Sequence, residues 1–364
     1  MRLVMTLLAR DEVDIVDAHL AFHLAAGVDF VIATDHRSED GTTEILERYE
    51  RLGRLRLIRE AGDALRQPEW ITRMARLAAT EYGADWVINS DADEFWWPRG
   101  GDLKEVLRVL PARYGLVRAF VRNFVPRPDD GRFLAERMVF RISAQAPLSD
   151  PASPWRPYPK IVHRGDPAVQ VARGNHSLIG SDLQLLRGWY PIEVLHFPLR
   201  SPEQYGRKAR HQWTAFAQPG SRSGTAYHAK ANAFYAEGKG DVYFASMAVS
   251  DDALERGLAE GSLVRDTRLC DALAALVTDA GENGRPVFLA PADGTPRVEF
   301  PRPSVVDDAQ YAVDAAVVAE ADFQRAQRRL DELETRLGRV ESRFPAGLYR
   351  TLSKLFRPGW HRAA

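Results

Sequence analysis

The sequence predicts an α/β protein built on a mainly parallel sheet with helices on both faces. Strand-like and helix-like segments alternate four times within about the first ninety residues, which is typical of such sheets. Polar clusters follow the second and the fourth of these strands, at residues 35–40 and 91–94. Because ligands of parallel sheets bind beyond the carboxyl ends of the strands, we expect both clusters to line one crevice.

The individual elements follow from apolar runs and from helical spacing. Short apolar runs, expected of strands covered on both faces, predict strands at 3–8, 30–33, 55–58 and 85–89. Apolar residues at helical spacing predict helices at 12–26, 41–49 and 71–82. Gly27 is placed to end the first helix, because glycine adopts the left-handed conformation found there.

Beyond residue 112 the pattern changes. Partial alternation of apolar and polar residues predicts an antiparallel, strand-rich extension over 113–200, and 201–278 is expected to be mainly helical. Together these form a second half, 113–278, after a first half, 1–112. Residues 279–310 are rich in Gly and Pro and are interpreted as a linker before a C-terminal segment, 311–364.

Composition excludes several classes of protein. The 364 residues include 49 Lys and Arg against 50 Asp and Glu, a formal net charge of −1, which gives no support to a nucleic-acid partner. The single cysteine, Cys270, excludes an intrachain disulfide and a cysteine-rich metal site. Because we find neither a secretory signal nor an apolar stretch of about 18 residues, we expect a cytoplasmic protein.

The C-terminal segment carries two further patterns. From Ala316 to Phe344 apolar residues follow the three-four spacing of a coiled coil, for which a second copy of the chain is the simplest partner. From Ser342 onward basic residues alternate with aromatic and aliphatic ones, which suits a helix lying on the inner face of a membrane. Packing of this segment against its own protein is the alternative to both interpretations.

Chemistry is indicated most strongly by the carboxylates Asp91, Asp93 and Glu94, which follow an apolar strand. Crowded carboxylates repel one another, so a hard cation such as Mn²⁺ or Mg²⁺ is a natural partner. His196 lies among apolar residues, and its neutral imidazole is a candidate to complete the metal's ligands. A solvated acidic turn and a buried core histidine are the respective alternatives.

The polar loop after the second strand is a candidate nucleotide site. It contains Asp35 and Asp40 and leads into a helix through Gly41. Free backbone N–H groups at a helix start attract anionic ligands, and the carboxylates offer hydrogen-bond acceptors. The alternative is a simple helix cap.

In this order, the motifs over residues 3–98 resemble the nucleotide-sugar half of the GT-A glycosyltransferases, most closely the family 2-like group. The matching stretches are Ala9-Arg10-Asp11-Glu12, His36-Arg37-Ser38-Glu39-Asp40-Gly41-Thr42 and Asn89-Ser90-Asp91-Ala92-Asp93-Glu94-Phe95. The resemblance implies a metal-dependent, inverting transfer of a sugar from a nucleoside-diphosphate sugar to a hydroxyl of a glycan or lipid-linked acceptor. Bacterial surface polysaccharide or glycan synthesis is the setting it implies.

The resemblance also implies roles for single residues. Asp35 and Asp40 would contact the nucleotide base, Arg10 would lie at the nucleotide pocket, and Arg73 would lie near the diphosphate. Asp91 would face the ribose or the metal, and Asp93 would be the main metal ligand.

The catalytic base is harder to place, because the later acidic pair that the family commonly presents has no clear equivalent. Asp182 and Glu193 are candidates, as the carboxylates nearest in sequence to His176 and His196. Two other functions stay open. A nucleotidyltransferase would normally carry a Gly-rich loop after the first strand, where residues 8–12 hold no glycine. An inactive sugar-binding or scaffold protein would need no base.

Overall fold

The computed structural model describes residues 1–62, 66–143, 159–216, 226–279, 286–288 and 298–341. The strands are β1 (Leu3–Ala9), β2 (Phe30–Asp35), β3 (Leu55–Arg59), β4 (Trp86–Asp91), β5 (Glu94–Pro98), β6 (Tyr114–Asn123), β7 (Phe140–Ile142), β8 (Lys160–Arg164), β9 (Gln184–Leu185), β10 (Ile192–His196), β11 (Leu263–Arg265), β12 (Val277–Asp279) and β13 (Val287–Phe288). The helices are α1 (Val16–Ala25), α2 (Thr42–Arg51), α3 (Gln67–Thr80), α4 (Leu103–Arg108), α5 (Leu134–Arg137), α6 (Pro202–Phe216), α7 (Ala226–Ala236), α8 (Gly240–Met247), α9 (Asp251–Ala259), α10 (Arg268–Ala274) and α11 (Val305–Glu341).

The first half of the sheet is parallel, as predicted. β1 lies between β2 and β4, and β3 pairs with the outer side of β2, all in parallel register. Met5 and Leu7 of β1 belong to the apolar cluster that includes α1 and α2, whereas Val4 packs with α3 on the opposite face. Because both faces are covered, β1 is a continuous apolar run.

The second half continues the same sheet. Its strand order is β3-β2-β1-β4-β8-β6-β10-β5, with β9 paired to β6. β8 is antiparallel to β4 and β6, and β5 is antiparallel to β10, but β6 and β10 are parallel. The predicted antiparallel extension is therefore mixed in direction and hydrogen-bonded to the first half.

Two predicted helix starts are wrong. α1 begins at Val16 rather than at residue 12, because Asp11 adopts a positive φ of 55° and the backbone N–H of Ile15 bonds to Glu12 in a turn. α3 begins at Gln67, four residues earlier than expected, with Pro68 in its first turn. Proline is well accommodated there because the first-turn N–H groups have no partner within the helix.

The helical region and the last helix follow the broad prediction. α6 to α10 occupy most of residues 202–274. β13 and the start of α11 fall inside the segment interpreted as a linker, and the four-part division of the chain stays a prediction. Residues up to Tyr311 form one compact unit, and Ala312 begins a second. Residues 342–364 of the predicted tail lie outside the described residues.

Within the second unit, α11 exposes the apolar side chains of the predicted seam. Phe323, Leu330, Leu333 and Leu337 are each more than half exposed. The helix is present, whereas its pairing with a second copy stays a prediction. None of the helices in the described part of the chain combines the length and hydrophobicity needed to cross a bilayer.

Candidate functional site

The acidic cluster lies at the carboxyl end of β4, in the tight connection between β4 and β5. Asp91 ends β4, Glu94 begins β5, and Asp93 lies in the turn between them. In the antiparallel pairing of β10 with β5, His196 lies opposite Glu94. Candidate ligand atoms of Asp93, Glu94 and His196 therefore lie within 4.8 Å of one another.

A hydrogen bond fixes which nitrogen of His196 faces this group. Its Nδ1 lies 2.8 Å from Oδ1 of Asn123, the residue paired with it on the parallel strand β6. Since an amide oxygen accepts, Nδ1 donates this bond, and Nε2 is the ring nitrogen left to bind a metal. Nε2 is 3.7 Å from Oδ2 of Asp93. One neutral imidazole and two carboxylates suit a hard divalent cation such as Mn²⁺.

A buried lysine balances the other two carboxylates. Nζ of Lys160, on β8, lies 2.9 Å from Asp91 and 2.6 Å from Glu94. Burial disfavours its charge, but the two carboxylates hold the pKa of Lys160 above its usual value. Burial raises the pKa of Glu94 to about 8, against the opposing effect of Lys160. Of the three candidate ligands, Asp93 and His196 are thus the two that Lys160 does not contact.

Asp93 is ionised although it is buried. Nζ of Lys208 lies 2.7 Å from its Oδ2, and Nη1 of Arg200 lies 3.8 Å away. Burial alone would raise its pKa, but Lys208, His196 and Arg200 hold the pKa of Asp93 well below its usual value. The carboxylate therefore keeps its charge in the absence of a metal.

Arg200 ties this site to the segment that follows β1. The guanidinium is fully buried, contacts the carboxylate of Glu12, and donates to Asp14 at 2.6 Å. Burial raises the pKa of Glu12 to about 7 against the opposing effect of Arg200. The Arg10-Asp11-Glu12 stretch and the end of β10 are thereby held at the same edge of the sheet.

Sequence reasoning noted Lys160 as a polar signal without a role in this site, and it did not single out Arg200. Lys160 did carry a signal, since a lysine that begins the apolar strand Lys160–Arg164 must find a buried counter-ion. Arg200 carried none, because its partners Glu12 and Asp14 are 188 and 186 residues away in sequence.

The loop after β2 is held by its own side chains. Asp35 accepts from Oγ of Ser38 at 2.6 Å and from Oγ1 of Thr43 at 2.5 Å. Asp40 accepts from Oγ1 of Thr42 at 2.6 Å and from the backbone N–H of Val13 at 3.1 Å. These bonds fix the loop against the segment that follows β1, at the carboxyl edge of the parallel strands.

The two predicted nucleotide-site arginines lie apart. Nη1 of Arg10 is 3.4 Å from Nδ1 of His36 in the loop after β2, and its buried Nε has no partner among the described residues. Burial lowers the pKa of Arg10. Arg73 instead forms an ion pair with Glu60 at 2.5 Å on the surface of α3. No contact in the described ranges joins Arg73 to the acidic cluster.

Neither predicted base is brought to the acidic cluster. On β10 it lies three residues before His196, so the two side chains point to opposite faces of the sheet. Glu193 is buried and pairs with Arg122 at 2.7 Å, Arg268 at 2.9 Å and Arg99 at 3.2 Å. Burial opposes its charge, but the arginines hold the pKa of Glu193 far below its usual value, so it is a poor proton acceptor.

Asp182 is exposed and lies just before β9. β9 pairs with the start of β6, where Gln184 lies opposite Tyr114, whereas Asn123 and His196 are paired at the other end of that strand. The ten residues of β6 correspond to roughly 30 Å at the usual rise per residue. The structure thus places Asp182 far from the acidic cluster.

Comparisons with known proteins agree with this arrangement in the first third of the chain. The family model described as glycosyltransferase family 92 matches residues 6–116, a range that contains the acidic cluster and the loop after β2. No curated protein sequence matches the chain.

Solved structures similar to the chain include S. aureus TarS in complex with UDP, at 13% sequence identity and a TM-score of 0.31 over 63% of this chain and 68% of that one. Another is glucosyl-3-phosphoglycerate synthase from Mycobacterium tuberculosis in complex with Mn²⁺, uridine diphosphate and glucosyl-3-phosphoglycerate, at 20% identity and a TM-score of 0.24. That match covers 35% of this chain and 44% of the synthase, so the chain spans less than half of the synthase's length.

The family match and the sheet lead to the same assignment. The parallel order β3-β2-β1-β4, with the acidic turn directly after β4 and a mixed continuation of the sheet, is the arrangement expected of the GT-A fold. The matching family is family 92 and not the family 2-like group. The broader resemblance to GT-A glycosyltransferases is confirmed. Over residues 6–116 the chain matches the family model described as glycosyltransferase family 92, in agreement with the predicted glycosyltransferase class.

Proposed function

We propose that the chain transfers a sugar from a nucleoside-diphosphate sugar to a hydroxyl group of a glycan or lipid-linked acceptor, with Mn²⁺ or Mg²⁺ bound. The observation that carries the proposal is the pairing of Asp93 with Nε2 of His196, 3.7 Å apart at the carboxyl edge of the sheet. An anionic oxygen and a neutral imidazole nitrogen, both already oriented, are suited to share one cation.

Each residue then has a role that follows from its position. Asp93 and His196 would hold the cation, with Glu94 beside them, and Asp91 would face the ribose or the cation. Bound there, the cation would supply positive charge to the leaving diphosphate. Lys160 keeps the carboxylates from repelling one another before the donor arrives.

The nucleotide would lie along the loop after β2. Asp35 and Asp40 hold that loop through hydrogen bonds, and Arg10 lies beside it with a buried Nε free of partners among the described residues. Such a donor requires an acceptor, and a nucleotide or ribose oxygen would satisfy it. We propose Arg10, Asp35 and Asp40 as the nucleotide-binding set. For Arg73 to contact the diphosphate, as the resemblance implies, its ion pair with Glu60 would have to break.

Inversion at the anomeric carbon and a place in bacterial surface polysaccharide or glycan synthesis are the finer parts of the proposal. They rest on the resemblance of the motifs to family 2-like enzymes. We also propose a cytoplasmic location, self-association through α11, and contact of the basic tail with the inner face of the membrane. The exposed apolar side chains of α11 support the self-association.

One observation favours a second candidate, a protein that binds a sugar nucleotide without transferring the sugar. Both predicted base residues, Asp182 and Glu193, lie away from the acidic cluster. A nucleoside-diphosphate release assay with mixed sugar donors and acceptors separates the two functions. Release that depends on both Mn²⁺ and an acceptor supports transfer, whereas tight binding without release supports the binding protein.

The first experiment is a thermal-shift screen of nucleoside diphosphates, each with and without Mn²⁺. A ligand that binds only the native state raises the melting temperature in proportion to the logarithm of its concentration. The proposal predicts stabilisation by at least one nucleoside diphosphate that is larger with Mn²⁺ than without it. The absence of stabilisation by any of them would contradict it.

A further inference from the structure

One face of α6 covers the carboxylates of the crevice with cationic side chains. Arg207 lies 3.7 Å from Asp40, and Lys208 lies 2.7 Å from Asp93. His211, one turn further along the helix, lies 3.5 Å from Asp11. Residues three and four apart lie on one side of a helix. A single face of α6 therefore reaches the segments that follow β1, β2 and β4.

The contact between Lys208 and Asp93 differs from the other two. It is the shortest, and it involves the same Oδ2 atom that faces Nε2 of His196. The Lys208 side chain is 29% exposed, whereas the Asp93 side chain is 5% exposed. The lysine is therefore the partner that can rotate away on its flexible stem while the carboxylate stays in place.

We propose that Lys208 occupies Asp93 until the cation arrives and then binds the diphosphate of the donor. This inference rests on the proposed function. A divalent cation on Asp93 would lie within a few ångströms of the present ammonium position, and two like charges so close repel strongly. The displaced ammonium group of Lys208 would remain close enough to contact the diphosphate, whose negative charge lies next to the cation.

The arrangement links the two ligands. While Lys208 neutralises Asp93, it competes with a cation that arrives alone. When a diphosphate is present, Lys208 gains a new anionic partner. The free energy needed to separate Lys208 from Asp93 is then smaller. The site thus favours the complete cation–diphosphate pair over the free cation, which is a positive coupling between two ligands.

The test measures binding rather than turnover. Free Mn²⁺ is titrated by electron paramagnetic resonance into the full chain alone, and UDP is titrated by calorimetry at saturating Mn²⁺. Four chains are compared: wild type, Lys208→Met, Lys208→Arg and Arg210→Met. Arg210 is exposed on the same helix, so its variant controls for the loss of one positive charge.

In the Lys208→Met variant we expect the affinities for the two ligands to change in opposite directions. Lys208→Met should bind Mn²⁺ alone about three- to tenfold more tightly, because the competitor is gone, and UDP with Mn²⁺ about tenfold more weakly. Lys208→Arg and Arg210→Met should stay within about threefold of wild type for both ligands. A purely structural role of Lys208 would weaken both ligands together.

Two outcomes overturn the inference. One is a Lys208→Met chain with wild-type affinity for UDP, and the other is a Lys208→Met chain with reduced affinity for Mn²⁺ alone. If the wild-type chain binds neither Mn²⁺ nor UDP, the proposed function fails as well. Normal wild-type binding with either of the first two outcomes rejects only the role of Lys208.

Discussion

The side chain of His196 donates from Nδ1 to Oδ1 of Asn123 over 2.8 Å, across the parallel strands β10 and β6. The two residues come from different parts of the chain, and their register brings them together at the same sheet edge. The bond turns Nε2 toward Asp93, and a metal would bind that nitrogen in its unprotonated form.

His196→Ala should therefore weaken Mn²⁺ binding by about tenfold or more, and Asn123→Ala should weaken it by about tenfold through loss of ring orientation. Calorimetric titration of Mn²⁺ in the presence of UDP measures both. If His196 is only a core residue, its variant will lose thermal stability while the Mn²⁺ affinity stays at the wild-type value.

Glu193→Gln tests the predicted role of Glu193 as the catalytic base. The substitution removes one negative charge from a buried group of three arginines, and breaking such a buried pair costs about 3–5 kcal/mol of folding free energy. Chemical denaturation measures the loss, with the exposed Asp182→Asn variant as a control expected within about 0.5 kcal/mol of wild type. A stable Glu193→Gln chain that has lost donor turnover but retains UDP binding would restore Glu193 as the base.

The positions of these residues show how far sequence reasoning reaches. The four parallel strands and the acidic turn follow from apolar runs and local motifs, which are properties of neighbouring residues. Alternation along a strand also carried a usable signal, because Glu193 and His196 are an odd number of residues apart and so cannot share a face. Proximity in sequence to His196 suggested a shared site, whereas the structure places the two side chains on opposite faces of the sheet.

The remainder of the site depends on long-range register. His196 meets Glu94 because β10 pairs with β5, about one hundred residues away in sequence, and Lys160 meets Asp91 through the pairing of β8 with β4. Nothing local in the sequence encodes either pairing. Local patterns predicted that carboxylates would gather at the sheet edge. They did not reveal which lysine and arginine side chains would form ion pairs with them.

His163 provides a pH-dependent test of the β8–β4 region. It is fully buried, donates from Nδ1 to the carbonyl oxygen of Arg164 at 2.8 Å, and burial lowers its pKa to about 4 from 6.5. The native state therefore binds fewer protons than the unfolded state between these two values. The stability that neutral His163 contributes is complete above pH 6.5 and is lost as the pH falls toward 4.

We expect the stability advantage of wild type over His163→Asn to shrink by about 2 kcal/mol between pH 7.5 and pH 5.0. Asparagine does not titrate, and its amide can donate the same hydrogen bond. Urea denaturation of both chains at the two pH values gives the difference. An advantage that does not change with pH would show that His163 titrates normally in the folded protein.

The start of α11 decides where the chain can be shortened. The buried guanidinium of Arg141 donates to Asp266 at 2.8 Å, to Gln310 at 2.8 Å and to Asp307 at 3.0 Å. A chain ending at residue 304 loses two of these partners, whereas a chain ending at Tyr311 keeps them all. We predict a melting temperature several degrees lower for the shorter chain, because a buried charge is left with fewer partners.

The same chains test self-association and membrane contact. Light scattering should show a monomer for the chain that ends at Tyr311 and a larger species for the full chain. Only the full chain should sediment with anionic vesicles, and salt should weaken that binding. A monomeric full chain would remove the dimer proposal, and vesicle binding that is absent or insensitive to salt would remove the membrane proposal.

The central claim is that Asp93 holds the cation on which the donor depends. Its direct test is calorimetric titration of UDP into wild type, Asp93→Ala and Asp182→Ala, each with Mn²⁺ and with a chelator. Wild type and Asp182→Ala should bind UDP at least tenfold more tightly with Mn²⁺ than with the chelator, and Asp93→Ala should show the same weak affinity in both. Retention of the full Mn²⁺ effect in a folded Asp93→Ala chain would contradict the account.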